Sequence, residues 1–223
     1  MLVDAVLLGR HRALPGVFRI VSSRTTRYER IATDLAGPGY SVCPQFLPRG
    51  ECARLARRGR SLWKLGAMRA AAIGRGSSRV LRPDIRGDFI RWIDPGIATR
   101  AEAQLLARIE TLRVALNRLL CLGAFDFELH WALYPPGAHY ARHLDRFRGA
   151  RERVVSLVLY LNEGWRARDG GALRLYLSDG AYRDVVPIGG TLVVFLADSF
   201  EHEVLPAHRE RLSLTGWLRR RTG

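Results

Sequence analysis

The sequence predicts a mainly β domain with packed helices (α+β), of the sandwich or jelly-roll kind. The apolar period changes from about 3.6 residues before Gly123 to about 2 residues after it, which separates a helical part from a strand part. Short segments of strand character then follow at roughly even spacing, divided by glycine turns. Helices followed by many short strands are typical of a sandwich or jelly roll with helices on one side. The length of 223 residues suits one such domain.

The helical part contains two segments of helical periodicity. Apolar residues three or four positions apart indicate a helix over about residues 48–69, which Gly59 weakens. A clearer helix over residues 99–123 begins with the capping box Thr99-Arg-Ala-Glu102. Between them, residues 70–95 are rich in Gly, Arg and Ser and predict an extended, partly mobile hairpin.

The strand part begins with an alternation of apolar and more polar residues over residues 125–134. Asp126, Glu128 and His130 separate its apolar residues, which predicts a half-buried strand. Further strands are expected over residues 153–161, 172–177, 182–186, 190–196, 202–205 and 211–218.

These patterns divide the chain into three parts. Residues 1–30 lack periodicity and are expected to form a disordered extension. Residues 31–123 are expected to form a helical support, and residues 124–223 the β core. We expect residues 31–223 to fold as one domain.

Positive charge is concentrated in the first part of the chain. The 36 basic residues exceed the 21 acidic ones by 15, and all of them except Lys64 are arginine. Residues 49–91 hold twelve basic and three acidic residues, a net charge of +9. Such a surface favours encounter with an acidic protein or nucleic acid. Direct nucleic-acid binding is the minor alternative, because neither a helix-turn-helix nor a zinc-finger spacing is present, and no aromatic ladder alternates with the arginines.

The sequence also predicts where the protein resides. No run approaches the ~18 apolar residues that a membrane-spanning helix needs, and the N-terminal residues, with Asp4 in their apolar run, make a poor secretory signal. Cys43, Cys52 and Cys121 form no Cys-x-x-Cys pair, which is typical of free thiols in a reducing compartment. We therefore expect a cytoplasmic protein with no membrane partner.

The chemistry of the chain is indicated by a short pattern after the first strand. In extended backbone, His143 and Asp145 project to the same face and can bind one metal ion. His202 lies on a late strand that a jelly roll brings opposite them. Two histidines and one carboxylate leave three octahedral positions open, as in non-haem Fe(II) oxygenases. The pair alone is weak, since a surface His beside an Asp is the commoner arrangement.

Arg211 strengthens this interpretation. It begins a strand whose alternation places Arg211, Ser213, Thr215 and Trp217 on one face and leucines on the other. A buried arginine needs an anionic partner, and its guanidinium forks onto a carboxylate. The alternative is one more surface arginine.

Together these motifs resemble the Fe(II)/2-oxoglutarate-dependent dioxygenases, and most closely their prolyl-hydroxylase branch, which includes the oxygen-sensing prolyl hydroxylases and bacterial relatives. The resemblance covers about residues 31–221. It rests on five ordered motifs: Ile85-Arg-Gly-Asp88 with Trp92, Tyr134-Pro-Pro-Gly-Ala-His-Tyr140-Ala-Arg-His143-Leu-Asp145, Val158-Leu-Tyr160-Leu-Asn162-Glu-Gly-Trp165, Gly170-Gly-Ala-Leu173-Arg174, and His202-Glu-Val-Leu-Pro206 with Arg211.

The resemblance implies a double-stranded β-helix and a complete set of site residues. Fe(II) is expected on His143, Asp145 and His202, and 2-oxoglutarate on Arg211, Tyr134, Tyr160, Thr215 and Leu173. The peptide side is expected to use Arg86, Tyr140, Arg153 and Trp217, with the segment around Arg86 forming a loop over the substrate. Ascorbate is the expected reductant.

The implied reaction is hydroxylation of a prolyl residue of a protein, with release of succinate and CO2. Bacterial relatives suggest a component of the translation machinery as the partner, such as elongation factor Tu or a ribosomal protein. Two alternatives stay open. One is a 2-oxoglutarate oxygenase that acts on another side chain, a small molecule or nucleic acid, and the other is a non-catalytic jelly-roll module that binds acidic protein or RNA.

Overall fold

The computed structural model describes residues 25–74, 80–145 and 152–221. Within these residues the chain forms three α-helices, α1 (Arg27–Ala36), α2 (Arg49–Lys64) and α3 (Arg100–Leu120). No helix of this described part is long and apolar enough to span a bilayer.

The described residues also form eleven β-strands. In chain order they are β1 (Tyr40–Cys43), β2 (Arg69–Ala70), β3 (Phe89–Trp92), β4 (Asp126–Tyr134), β5 (Tyr140–His143), β6 (Arg153–Tyr160), β7 (Leu173–Tyr176), β8 (Tyr182–Val185), β9 (Leu192–Leu196), β10 (His202–Val204) and β11 (Arg211–Arg219). They form a seven-stranded major sheet in the order β1-β9-β6-β11-β4-β3-β2 and a four-stranded minor sheet in the order β5-β10-β7-β8. Two facing antiparallel sheets confirm the predicted jelly roll.

The major sheet has a different core on each side. Leu212, Leu214 and Leu218 of β11 pack with α2 and α3 on the outer side. The inner side, which includes Tyr134 and Tyr160, packs against the minor sheet. The period-2 alternation of β4 and β11 therefore sorts their side chains between a helix-packed core and the space between the sheets.

The glycine that weakens the helix predicted over residues 48–69 has a packing function. A Cβ atom at Gly59 would lie 2.8 Å from side-chain atoms of both Leu212 and Trp131. Helix α2 therefore approaches the outer face of the sheet more closely than any larger residue at this position allows.

Helix α1 corrects the expected boundary at residue 30. It begins at Arg27, inside the segment expected to be a disordered extension, and buries Ile31 and Leu35. The Thr26 hydroxyl accepts a hydrogen bond from the Glu29 amide, and the Glu29 carboxylate accepts one from the Thr26 amide. This capping box is readable in the sequence, but the helix is too short for its periodicity to stand out. Residues 1–24 lie outside the described residues.

Strand β4 is more buried than the expected half-buried strand. All residues from Leu129 to Tyr134 are buried, because helices cover one face and the minor sheet covers the other. Polar residues on its inner face therefore line an internal space rather than the solvent-exposed surface. Strand β1, which the sequence did not indicate, pairs with β9 at the sheet edge.

The expected hairpin is present as β2 and β3, which pair through Arg69 and Ile90. The segment that follows the turn is held to β5, since the Gly87 amide donates to the His139 carbonyl and the Ala141 amide to the Ile85 carbonyl. This arrangement brings the segment around Arg86 to the mouth of the space between the sheets. Residues 75–79, at the tip of the expected loop, lie outside the described residues.

Candidate active site

A cavity of about 290 Å³ lies between the two sheets. Its wall includes every sequence-predicted site residue except Tyr160, which lies directly behind it, next to Arg211. The fold therefore gathers residues from seven strands, β3 to β7, β10 and β11, around one internal space. A set of polar groups that converges in one enclosed space is typical of a ligand site.

His143, Asp145 and His202 form a compact group in this cavity. One ligand atom of each residue lies within 4.8 Å of those of the other two. The Asp145 carboxylate oxygens lie 3.7 Å from His143 Nε2 and 3.5 Å from His202 Nε2. Strand pairing explains this meeting, because His143 on β5 is the direct cross-strand partner of His202 on β10.

Main-chain carbonyl groups orient both imidazoles. His143 Nδ1 lies 2.7 Å from the Ala141 carbonyl oxygen, and His202 Nδ1 lies 3.1 Å from that of Phe200. Each Nδ1 therefore carries the proton and donates it, which leaves Nε2 as the free electron pair that binds a metal. Burial, together with the nearby charge of His202, lowers the pKa of His143 to about 3, so its imidazole is neutral.

Asp145 is held as a carboxylate by its neighbours. Burial raises its pKa, but the two imidazoles and a 2.6 Å hydrogen bond from the Ser156 hydroxyl outweigh that effect, and the pKa falls below its ordinary value. Ser156 thus fixes one oxygen of the carboxylate and leaves the other free to bind a metal.

Arg211 is a buried cation without a carboxylate partner among the described residues. It is 1% exposed, its Nε donates to the Gly171 carbonyl at 2.8 Å, and its Nη2 has no hydrogen-bond partner. The guanidinium carbon lies 5.1 Å from the ring centroids of both Tyr134 and Tyr160. An unpaired buried guanidinium is costly unless an anion binds it, so this end of the cavity is built for an acid group.

The other residues predicted for the cosubstrate lie beside Arg211 or further along the same cavity. Tyr134 is its direct cross-strand partner, whereas Thr215 lies four residues further along β11, and both Thr215 and Leu173 line the cavity. The buried Tyr160 hydroxyl also lacks a partner. Burial raises its pKa to about 12 against the opposing charge of Arg211, which keeps the hydroxyl neutral and able to donate a hydrogen bond.

Arg86 and Tyr140, predicted for the substrate side, cover one of the histidines. The Tyr140 ring stacks on the His143 ring with centroids 3.6 Å apart. The Arg86 guanidinium lies 4.6 Å from the centre of the Tyr140 ring and forms a two-point ion pair with the buried Asp88 carboxylate. Arg86 is therefore held in place and its charge is neutralised before any ligand binds.

Arg153 and Trp217 form the opposite side of the cavity mouth. The Arg153 guanidinium lies 3.3 Å above the Trp217 ring and 3.0 Å from a Glu128 carboxylate oxygen. This cation–π contact and ion pair fix the Trp217 ring beside the site.

Three polar residues of the site were not identified from the sequence. Ser156 binds Asp145, Asp88 pairs with Arg86, and His130 lies on the cavity wall with an unpartnered Nδ1. The alternation of β4 already placed His130 on the same face as Tyr134, so this signal was available. The roles of Ser156 and Asp88 depend on contacts between distant segments, which spacing does not reveal.

The site fits both an iron ion and 2-oxoglutarate. Two imidazoles and one carboxylate are the donor set of the Fe(II) facial triad. Across the cavity, Arg211 Nη2 and the Tyr160 hydroxyl are buried polar atoms without partners, and a carboxylate of 2-oxoglutarate supplies the acceptors that both lack.

Comparisons with known proteins agree with this geometry. Residues 129–219 match the 2OG-Fe(II) oxygenase superfamily. A prolyl-4-hydroxylase from Pseudomonas putida is 51% identical, with a TM-score of 0.80 over 86% of this chain and 99% of that chain. A prolyl hydroxylase from Trichoplax adhaerens, solved with a hypoxia inducible factor oxygen degradation domain peptide, is 28% identical, with a TM-score of 0.76 over 85% of this chain and 87% of that chain.

Human Egl nine homolog 1 is 34% identical over 145 residues, which is 60% of this chain and 33% of that protein. This chain spans less than half the length of such curated relatives. The 51% identity to a structure covered almost completely, together with the family match over the strands that carry the triad and Arg211, assigns the family. The chain belongs to the 2OG-Fe(II) oxygenase superfamily, an enzyme family that requires Fe(II) and 2-oxoglutarate.

Proposed function

We propose that this protein hydroxylates a prolyl residue of a protein substrate and converts 2-oxoglutarate to succinate and CO2. The observation that carries the proposal is the pairing, in one cavity, of the His143–Asp145–His202 group with the carboxylate-free Arg211. An iron site and an acid-binding site that face each other account for both the metal and its cosubstrate.

His143, Asp145 and His202 would hold Fe(II) through two Nε2 atoms and one carboxylate oxygen. The carbonyls of Ala141 and Phe200 keep both Nδ1 atoms protonated, so each ring offers Nε2 without rotating. When bound, Fe(II) and 2-oxoglutarate supply the O2-dependent oxidation that inserts one oxygen atom into a C–H bond. Ascorbate would serve as the external reductant.

Arg211 would orient 2-oxoglutarate by pairing with its distal carboxylate. The Tyr160 hydroxyl would donate a second hydrogen bond, with Tyr134 and Thr215 completing the polar wall and Leu173 packing against the methylene chain. Since Arg211, Tyr134, Tyr160 and Leu173 are already buried and Thr215 is half-buried, the acid binds without ordering flexible side chains, which favours a tight and directional fit.

The substrate side would exclude water from the site. Tyr140 covers His143, and Arg153 holds Trp217 beside the cavity. Arg86 and Arg153 are both neutralised by carboxylates, so this part of the mouth presents flat, uncharged ring surfaces. Such surfaces suit an apolar residue such as proline better than a charged side chain.

A protein of the translation machinery, such as elongation factor Tu or a ribosomal protein, is the substrate we propose, in the cytoplasm. The prolyl-4-hydroxylase and the peptide-bound prolyl hydroxylase named above support a prolyl residue in a polypeptide. The excess of arginine supports a partner of acidic charge or one associated with RNA. Exposed cations on α2, among them Arg54 and Arg57, contribute to this charge.

The iron site is tested by anaerobic visible absorption of metal-free protein titrated with Fe(II) and 2-oxoglutarate. We expect a metal-to-ligand charge-transfer band that requires both additions and disappears in His143→Ala. An exposed-site control, His208→Ala, is expected to retain the band. A folded wild-type protein without the band would overturn the proposed iron and 2-oxoglutarate sites.

The substrate is tested by mass spectrometry of elongation factor Tu, ribosomal proteins and free amino acids after incubation with enzyme, Fe(II), 2-oxoglutarate, ascorbate and O2. We expect one added oxygen on a prolyl residue of an intact protein, with an equal amount of succinate. Oxygen added only to another side chain or to a free amino acid would contradict the prolyl assignment while leaving the oxygenase chemistry intact.

A further inference from the structure

Away from Arg211, the cavity wall holds further buried polar atoms without a partner, His130 Nδ1 and Trp217 Nε1. His130 lies in the middle of β4 and is 1% exposed, and its Nδ1 has no hydrogen-bond partner. Its neighbours across the sheet are Trp92 on β3 and Thr215 on β11. The His130 ring lies 4.8 Å from the Trp92 ring and stacks on the Trp217 ring at 5.5 Å.

His130 lies outside the metal group and away from Arg211. It does not belong to the group of ligand atoms within 4.8 Å of one another that His143, Asp145 and His202 form. Arg211 pairs across the sheet with Tyr134, four residues further along β4, which corresponds to about 13 Å of extended strand. His130 thus lies away from the level at which Arg211 and Tyr134 pair, and its ring contacts Trp92 and Trp217, the second of which is predicted for the substrate side.

One ring that contacts His130 reaches the protein surface. Trp92 is 46% exposed although it also lines the cavity, so the cavity wall beside His130 extends to solvent. The Trp92, His130 and Trp217 rings form a continuous aromatic wall there. Because Trp217 is predicted for the substrate side, we assign a ligand at this wall to the substrate.

An uncharged polar group suits His130 as a partner. Burial, together with the charges of Arg86 and Arg153, lowers the pKa of His130 to about 3, so the imidazole carries no charge at neutral pH. The two arginines are themselves paired with Asp88 and Glu128. A main-chain amide, which offers a donor and an acceptor without charge, is the polypeptide group that matches an uncharged imidazole.

We propose that His130 is a substrate-binding residue whose Nδ1 forms a hydrogen bond with a main-chain amide group of the bound polypeptide, close to the residue that is hydroxylated. This inference rests on the proposed function, since it requires a polypeptide substrate. The wall of Trp92, His130 and Trp217 would then bind the peptide backbone as well as an apolar ring. The enzyme would distinguish a peptide from a free amino acid by the main-chain amide, a group that only the peptide carries.

The test compares three replacements of His130 that differ in where they place a polar atom. His130→Asn keeps one near Nδ1, His130→Gln moves it to the position of Nε2, and His130→Leu removes it. The probe is the peptide that the wild-type holoenzyme hydroxylates fastest from a synthetic set covering elongation factor Tu and the ribosomal proteins. KM and kcat are measured for the peptide, and KM for 2-oxoglutarate, by succinate release.

We expect the KM for the peptide to rise about tenfold in His130→Leu and His130→Gln, the loss of one hydrogen bond to a buried group. In His130→Asn it should rise less than threefold, and the KM for 2-oxoglutarate should stay within twofold in all three variants. A merely structural role of His130 does not produce this difference between Asn and Gln. Melting temperatures identify any variant that fails to fold, and His208→Leu, at an exposed histidine, is the matched control.

Three results would overturn the proposal. A wild-type KM for the peptide in His130→Leu would exclude the hydrogen bond, and equal losses in Asn and Gln would assign His130 to packing. If the wild-type enzyme modifies no peptide and no intact protein of the set, the proposed function fails and the role of His130 fails with it. If the wild-type enzyme hydroxylates the peptide and His130→Leu keeps the wild-type KM for it, only the role of His130 is overturned and the proposed function stands.

Discussion

The two faces of strands β4 and β11 differ in what their side chains contribute. On the outer face, Leu133, Leu212 and Leu214 belong to an apolar core that they share with the helices. On the inner face, the same strands carry Arg211 and His130, both buried with unpartnered atoms. The outer face buries apolar area and stabilises the fold, whereas the inner face bears desolvation costs that only a ligand offsets. The alternation of these two strands therefore places the residues that stabilise the fold on one face and the residues that bind ligands on the other.

The largest test of this separation is Arg211→Leu. We expect the KM for 2-oxoglutarate to rise about 100-fold or more, because the loss of one partner of a desolvated charge pair costs about 2–5 kcal/mol. The melting temperature of the ligand-free protein should not fall, since the replacement removes an unpaired buried charge. Succinate release at varied 2-oxoglutarate and thermal melts measure the two effects. Arg57→Leu, on the exposed face of α2, is the control, and a melting temperature lowered by Arg211→Leu would contradict the comparison.

The matching change on the outer face is Leu214→Ala. Leu214 is 1% exposed and lies three residues after Arg211 on β11, on the opposite face of the strand. We expect the free energy of unfolding to fall by about 3 kcal/mol through lost packing and the cavity left behind. The KM for 2-oxoglutarate of the folded fraction should stay within twofold. Urea unfolding, compared at an unchanged m-value, measures the free energy of unfolding. Succinate release at urea concentrations below the unfolding transition measures the KM for 2-oxoglutarate. A large rise in the KM for 2-oxoglutarate would contradict the comparison, because it would show that packing on the outer face affects binding on the inner face.

The smallest effect is expected at Gly59, where α2 approaches the sheet. Helix propensity alone favours Gly59→Ala, but the added Cβ would lie 2.8 Å from Leu212 and Trp131 side-chain atoms. We expect a net destabilisation of about 1 kcal/mol, because overpacking a close contact outweighs the propensity gain. Gly50→Ala in the same helix, where the nearest atom is 3.6 Å away, should be neutral or stabilising. Urea midpoints compare the two, and a more stable Gly59→Ala would mean that the helix can move away.

The sequence predicts the elements with strong local signals and misses those that depend on context. The capping box at Thr99 and the alternation around Trp131 were enough to predict α3 and β4. The capping box at Thr26 was equally readable, but α1 has only ten residues and its apolar stripe is short. The burial of β4 on both faces could not be read from its pattern, because the second layer that covers it comes from distant strands.

The site followed the same division. Ordered motifs located the residues on the cavity wall, because each motif is local and their order along the chain is visible. The contacts made by Ser156 and Asp88 were not predictable, since each joins segments whose relative positions only the fold determines. His130 was placed on the correct face by alternation, but its missing partner is a property of the packed structure alone.

The hydrogen bonds that orient the two metal-site histidines end on backbone carbonyls rather than on side chains. A carbonyl group is present whatever amino acid occupies positions 141 and 200, so replacing Ala141 or Phe200 alters the packing but not the acceptor. Nor does a carbonyl gain or lose a proton over the physiological pH range, whereas a carboxylate in its place would. Substitutions at these two positions therefore leave the tautomer of both rings unchanged. The orientation of the metal-binding imidazoles depends on the path of the main chain and not on the side chains at positions 141 and 200.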